Sequence, residues 1–299
     1  MRAVVLLGLA VVASASALVE VDTGYHQAVG IPTAERIRAY EEQLLKQDRI
    51  VGGVLAPTNA HPYFAGLLIS LVGISGNSVC GSSLLSANRL VTAAHCWTDG
   101  QMQAWQFVVI LGTNFLFTGG TRISTTNVIM HPEYTHFNLN NDIAMIYLPV
   151  NVLFTRNIRP VSIPNPWEAW ESFAGRWGVA AGFGRTSDMQ TGASSVVSHV
   201  RLQVISVAQC QAIFGNSFVV PSTICTNGAG GVGICGGDSG GPLVIDYNGR
   251  PTLVRLDFNY SSSLSKIHIS RNQFYVYFSQ ALKKEFTKKK MVYYYQVPS

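Results

Sequence analysis

The sequence predicts an all-β fold, a sandwich or barrel of short strands, across residues 50–254. Short runs rich in Val, Ile, Leu and Phe recur there, among them YFAGLLISLVG, FVVILG, AMIYLPV and RLQVISV, separated by Gly, Asn, Ser and Pro. Few segments reach ten residues without a turn signal, which leaves little room for helices. Glycine is abundant at 28 residues, and charged residues make up 12% of the chain against 47% hydrophobic, the profile of a turn-rich globule with a real core.

The remaining segments read in chain order. Residues 1–17, MRAVVLLGLAVVASASA, place one basic residue before an apolar run and end on the small residues Ala15, Ser16 and Ala17. This is the pattern of a secretory signal peptide, and the run falls short of the ~20 residues of a membrane span. Secretion implies an oxidising compartment in which cysteines pair. There are five, Cys80, Cys96, Cys210, Cys225 and Cys235, so one is left over. Residues 18–49 contain PTAERIRAYEEQLLKQDR, charged and helix-prone, ending at Arg49. Residues 255–299 differ from everything before them. All 28 glycines lie at or before Gly249, and lysine is absent between Arg49 and Leu256. The six lysines and Arg271 that follow, set against Asp257 and Glu285, account for the whole net charge of +5. The basic balance therefore belongs to the tail and marks no nucleic-acid-binding face on the main region.

The chemistry lies in three short stretches. A serine hydroxyl is a poor nucleophile at neutral pH and needs a base in reach, itself oriented by a carboxylate. LVTAAHCW places His95 after an apolar run and beside Cys96, NNDIAMIYL places Asp142 at the mouth of another run, and GGDSGGP places Ser239 among glycines. Glycines permit the backbone angles that aim two N–H groups at one point, here those of Gly237 and Ser239, as an oxyanion hole. His61, His131, His136 and His199 read as surface or loop residues. The cysteine spacing offers no CxxC pair for zinc, and no Lys follows the glycine loop as in a phosphate cradle.

IVGG, TAAHC, DIA and GDSGGP occur in this order, and over about residues 50–254 the chain resembles the chymotrypsin-like serine proteases, nearest to the arthropod digestive and collagenolytic branch. The resemblance implies two six-stranded antiparallel β-barrels and a Ser239–His95–Asp142 triad acting on protein and peptide substrates. It implies no cofactor or metal, and a secreted, extracellular monomer, as in a gut lumen, with no stable membrane association and no nucleic-acid partner. Residues 18–49 become an activation propeptide, cut by a trypsin-like protease at Arg49–Ile50, whose new Ile50 ammonium pairs with Asp238. Disulfides Cys80–Cys96 and Cys210–Cys225 are implied, with Cys235 unpaired. Gly233 stands where an acidic pocket base would select Lys or Arg, which favours a roomy apolar or mixed pocket.

The departure from the family begins near Arg255, where a strand and pocket wall of relatives give way to DFNY. The second barrel is therefore expected to be incomplete after about residue 254, with residues 255–299 a disordered basic tail. An alternative follows, that of a catalytically impaired splice variant or mis-assembled isoform, since the tail's Phe, Ile, Lys, Asn and Tyr fit A/T-rich codons. A third reading, KKEFTKKKMVYYY docking on an anionic surface, competes with a plain charged tail and is the weaker of the two.

Overall fold

The computed structural model of the chain describes residues 24–47, 60–137, 139–165, 167–168, 171–184, 196–216, 219, 221, 223–227, 237–256 and 267–271. The apolar runs become strands of two antiparallel sheets. The first contains β1 (Phe64–Leu71), β2 (Asn77–Ser86), β3 (Arg89–Thr92), β4 (Ala104–Leu111), β5 (Thr121–Thr125), β6 (Val128–Met130) and β7 (Ala144–Tyr147), in the order β5-β4-β1-β2-β3-β7-β6. The second contains β8 (Trp177–Gly182), β9 (Ser198–Ile205), β10 (Thr223–Asn227), β11 (Pro242–Tyr247), β12 (Arg250–Leu256) and β13 (Ile267–Arg271), in the order β12-β11-β8-β9-β10-β13.

Two six-stranded barrels were expected, the second incomplete after about residue 254; among the described residues the first sheet has seven strands. In the second, β12 runs to Leu256, and the sixth strand comes from the stretch expected to be a disordered tail, with Ile267–Arg271 pairing antiparallel to β10. The backbone partners that β10 offers on its free side are met by this strand, as an unpaired edge requires. The rest of the tail lies outside the described residues.

Position in the sheet explains each strand's composition. β1 is flanked by β2 and β4 and is apolar almost throughout, with seven of its eight residues buried. β5 lies at the edge of its sheet and reads TRIST, mostly exposed. The β11–β12 hairpin turns on Asn248 and Gly249, at φ 56° and 75°, because a two-residue hairpin loop of this type needs positive φ at both centres. Leu67, Ile69, Leu84, Phe107 and Ile146 pack inside the first sheet, and Leu202, Ile224, Leu243, Ile245 and Val254 inside the second. A layer of Val91, Met145, Val244, Leu253 and Leu256 joins the two.

At Gly81 the strand β2 comes close to the loop that leads into β11. A Cβ there would lie 2.8 Å from the Gly241 Cα and 2.9 Å from its amide nitrogen. With no side chain in the way, the Gly81 N–H donates to the Ser239 carbonyl at 2.7 Å. Gly81→Val is expected to push the two sheets apart and cost about 1–3 kcal/mol. A lowered urea midpoint would register this, and an unchanged midpoint would contradict the close approach.

Among the described residues, two α-helices accompany the sheets. α1 (Ile31–Gln47) follows a π-helical turn at His26–Gly30, and α2 (Val207–Phe214) starts on a capping box in which Ser206 and Gln209 satisfy each other's backbone N–H groups. The Cys210–Cys225 disulfide ties α2 to β10, and Cys80–Cys96 ties β2 to the short turn Ala94–Cys96. Both bridges are those the family resemblance implied. No helix among the described residues is long and apolar enough to cross a membrane.

Candidate active site

His95 sits in the turn after β3, pinned by the disulfide at Cys96. Asp142 grips it twice. Its Oδ2 lies 2.7 Å from His95 Nδ1, and its Oδ1 accepts the His95 backbone N–H at 2.8 Å. The carboxylate can only accept, so Nδ1 carries the proton and Nε2 presents a lone pair, the tautomer a general base requires. Asn141 supports the arrangement with φ 58°, a left-handed conformation that Asn tolerates better than most residues, and its side-chain amide donates to the Glu133 carbonyl. The neighbouring Tyr134 hydroxyl donates to the Thr98 carbonyl, and burial, with the Asp142 and Asp99 charges behind it, pushes its phenol pKa well up.

The loop carrying Ser239 depends on its glycines. Gly237 has φ 107°, with its missing Cβ only 3.0 Å from the Phe183 carbonyl oxygen. Gly240 has φ 77°, and a side chain there would strike the Thr92 hydroxyl and the Gly81 carbonyl. The Gly241 N–H closes the turn on the Asp238 carbonyl at 2.8 Å. The Asp238 carboxylate points the other way, into a slot made by Gly182 and Gly184, where any side chain would collide with it, and accepts the Gly184 N–H at 2.7 Å.

The structure thus brings His95, Asp142, Ser239, Gly237 and Asp238 to the junction of the two sheets. Arg49, Ile50, Gly233 and Cys235 lie outside the described residues. Residues 50–254 match the trypsin family. The chain belongs to that family. Similar trypsin-family proteins include brachyurin of Leptuca pugilator, 38% identical over 204 residues that cover 67% of this chain and 82% of the relative. Collagenase of Hypoderma lineatum is 32% identical over 201 residues, covering 67% and 74%. Among solved structures, HL collagenase aligns with a TM-score of 0.67 at 28% identity over 78% of this chain and 99% of that one. The serine endopeptidase class and the double-sheet fold follow, and the relatives fall in the branch that the sequence resembles.

Ser239 is almost completely covered. It is 1% exposed and its Oγ has no hydrogen-bond partner among the described residues; His95 is 2% exposed. Among the described residues the cover comes from the N-terminal segment 24–33. The Tyr25 ring lies 4.7 Å from the His95 ring, edge to face, and its hydroxyl donates to the Val79 carbonyl at 2.8 Å. Burial pushes the Tyr25 phenol far up; the adjacent Ser239 side chain offsets part of this without an aligned hydrogen bond at Oγ. The Thr33 methyl lies 3.3 Å from where a Gly237 Cβ would be.

Sequence reading missed Tyr25, His26, Thr33, Ile37 and Glu41. A signal existed: Thr33, Ala34, Ile37 and Glu41 follow helical spacing, and all four are buried on one face of α1. The charge-rich composition around them hid it. Of the histidines read as surface residues, His131 is buried, its Nδ1 accepting the Glu133 N–H.

His26 makes this region sensitive to acid. Its backbone N–H donates to Asp99 Oδ2, its Nδ1 pairs with Ser78 Oγ at 2.9 Å, and Nε2 is buried without a partner among the described residues. Burial lowers its pKa from 6.5 to about 4, against the opposing pull of Asp99 and with a smaller push from His95. The neutral ring fits the packed site and the charged ring does not. Packing of residues 24–30 is therefore complete above pH 6.5 and weakens as pH falls towards 4, by about 30-fold at pH 5. Hydrogen-exchange protection of those amides in the intact chain, corrected for intrinsic rates, is expected to show that loss; equal protection at pH 7.5 and 5 would contradict it.

One grouping among the described residues, Cys80, His95 and Cys96, is close enough to hold a metal ion. Its sulfurs are spent in the disulfide, so no thiolate is on offer, and its imidazole is committed to Asp142.

Proposed function

We propose that the chain is the secreted proenzyme of a serine endopeptidase, in which cleavage at Arg49–Ile50 readies a Ser239–His95–Asp142 triad. The two-point grip of Asp142 on His95, beside a Ser239 loop docked on β2, carries the reading. Ser239 Oγ adds to a peptide carbonyl as its proton passes to His95 Nε2, and the Gly237 and Ser239 amides hold the oxyanion. His95 returns the proton to the leaving amine as the C–N bond breaks, and water releases the acyl group by the reverse route. Asp142 holds the tautomer and balances the imidazolium. Asp238 is the partner for the freed Ile50 ammonium, a buried charge that needs one. Gly233 favours apolar or mixed side chains over Lys and Arg, and the relatives named collagenase point to structural proteins as candidate substrates.

The test is digestion of a denatured protein by the cut chain, with the products mapped by mass spectrometry. Internal cuts after apolar or mixed residues are expected. Products trimmed only from chain ends would contradict an endopeptidase, and cuts confined to Lys and Arg would contradict the pocket assignment.

A further inference from the structure

We propose that residues 24–41 are a built-in inhibitor of the active site that stays docked after the Arg49–Ile50 bond is cut, so that activation takes two steps, cleavage and then departure of the segment. This rests on the catalytic reading of His95 and Ser239 given above and adds a control that cleavage alone does not relieve.

The contacts run along the segment, and two of them reach the site. Tyr25 covers His95 and Ser239, and Thr33 sits against the oxyanion loop at Gly237. A peptide carbonyl cannot approach Ser239 while both are in place. Gly30 lets the segment turn in tightly, since a side chain there would collide with Ser78. Ala34 and Ile37 then pack with Phe64, Leu68, Leu116 and Phe183, where the two sheets adjoin. Glu41 is 2% exposed, and its carboxylate accepts the Leu116 N–H at 2.6 Å, the Phe117 N–H at 3.0 Å and the Thr118 hydroxyl at 3.0 Å. Arg38 adds a hydrogen bond to Asn77 Oδ1 and lies over the Phe117 ring.

None of these contacts uses residues 42–50, so cutting at Arg49 breaks none of them. The buried face is apolar at Ile37 and fully hydrogen-bonded at Glu41, the make-up of a bound ligand more than of a spacer. Residues 18–49 contain no cysteine, so after the cut the segment is held without a disulfide, by non-covalent contacts.

The full chain provides the test. Residues 45–49 are replaced by an Asp-Asp-Asp-Asp-Lys recognition sequence, so that enteropeptidase cuts before Ile50 without touching Arg36 or Arg38 as trypsin would. In a Ser239→Ala background, gel filtration of the cut chain at micromolar concentration is expected to recover the segment with the protease domain. Ile37→Glu should raise its dissociation constant at least ~30-fold. Complete separation of the unsubstituted segment on first passage would overturn the proposal. With Ser239 present, the cut chain carrying Tyr25→Ala or Ile37→Glu should take up a fluorophosphonate probe at least ~10-fold faster than the cut chain with the native segment. Both substitutions lie in the part that leaves, so the domain itself is unchanged. Equal rates in all three, with the native segment still bound, would overturn the inhibition. A Ser239 that stays unlabelled once the segment is gone would contradict the catalytic reading instead, while co-elution in the Ser239→Ala chain still decides the docking.

Discussion

Replacing Ser239 by Ala in the chain cut at Arg49–Ile50 and freed of its N-terminal segment is expected to lower kcat for peptide hydrolysis by about 10⁶-fold. In the proposed mechanism the Ser239 hydroxyl oxygen forms the acyl bond, so its removal takes away the nucleophile. The loop survives the change because its shape is fixed by Gly237, Gly240 and Gly241 and by the Gly81 N–H on the residue's own carbonyl, none of which involves Oγ. Residual hydrolysis would come from the oxyanion amides and substrate binding. Steady-state kinetics on a chromogenic peptide, with the thermal midpoint as a check on folding, measures it. A rate within tenfold of the unsubstituted chain would remove Ser239 from the mechanism.

The second large effect is expected from Asp142→Asn, about 10⁴-fold in kcat. The carboxylate accepts from His95 at both the ring and the backbone. Asn can keep one of these bonds. If its carbonyl keeps the backbone N–H, its NH₂ group faces Nδ1 and forces the ring proton onto Nε2. His95 is then a donor where it must accept the Ser239 proton. The volume is almost unchanged, so stability is expected to move far less than the rate. Parallel losses in rate and thermal midpoint would mean that Asp142 acts mainly as a structural brace.

The parts of the site that the sequence made legible are those where chemistry narrows the choice of residue. His95 beside a disulfide, Asp142 at the start of a strand and Ser239 among glycines are each tied to local backbone, and all three residues lie at one junction. Gly81 was not singled out because its role is defined by Gly241, far along the chain, and local pattern carries no such distance. Glu41 was invisible for a sharper reason. A glutamate on a charged helix ordinarily faces water. Here the backbone N–H groups of Leu116 and Phe117, 75 and 76 residues away, make burial favourable. Strand β13 was missed because it follows a composition break that read as the end of order, whereas an edge strand asks only for backbone partners, which β10 supplies.

The most direct measurement of the central claim is fluorophosphonate labelling of the intact and the cut chain, with the adduct located by peptide mapping. Because Ser239 is covered in the uncut chain, no adduct is expected there. After the cut, and once the segment has left, a single adduct is expected on Ser239. Rapid labelling of Ser239 in the uncut chain, or an adduct on another residue after the cut, would contradict a masked Ser239–His95–Asp142 centre.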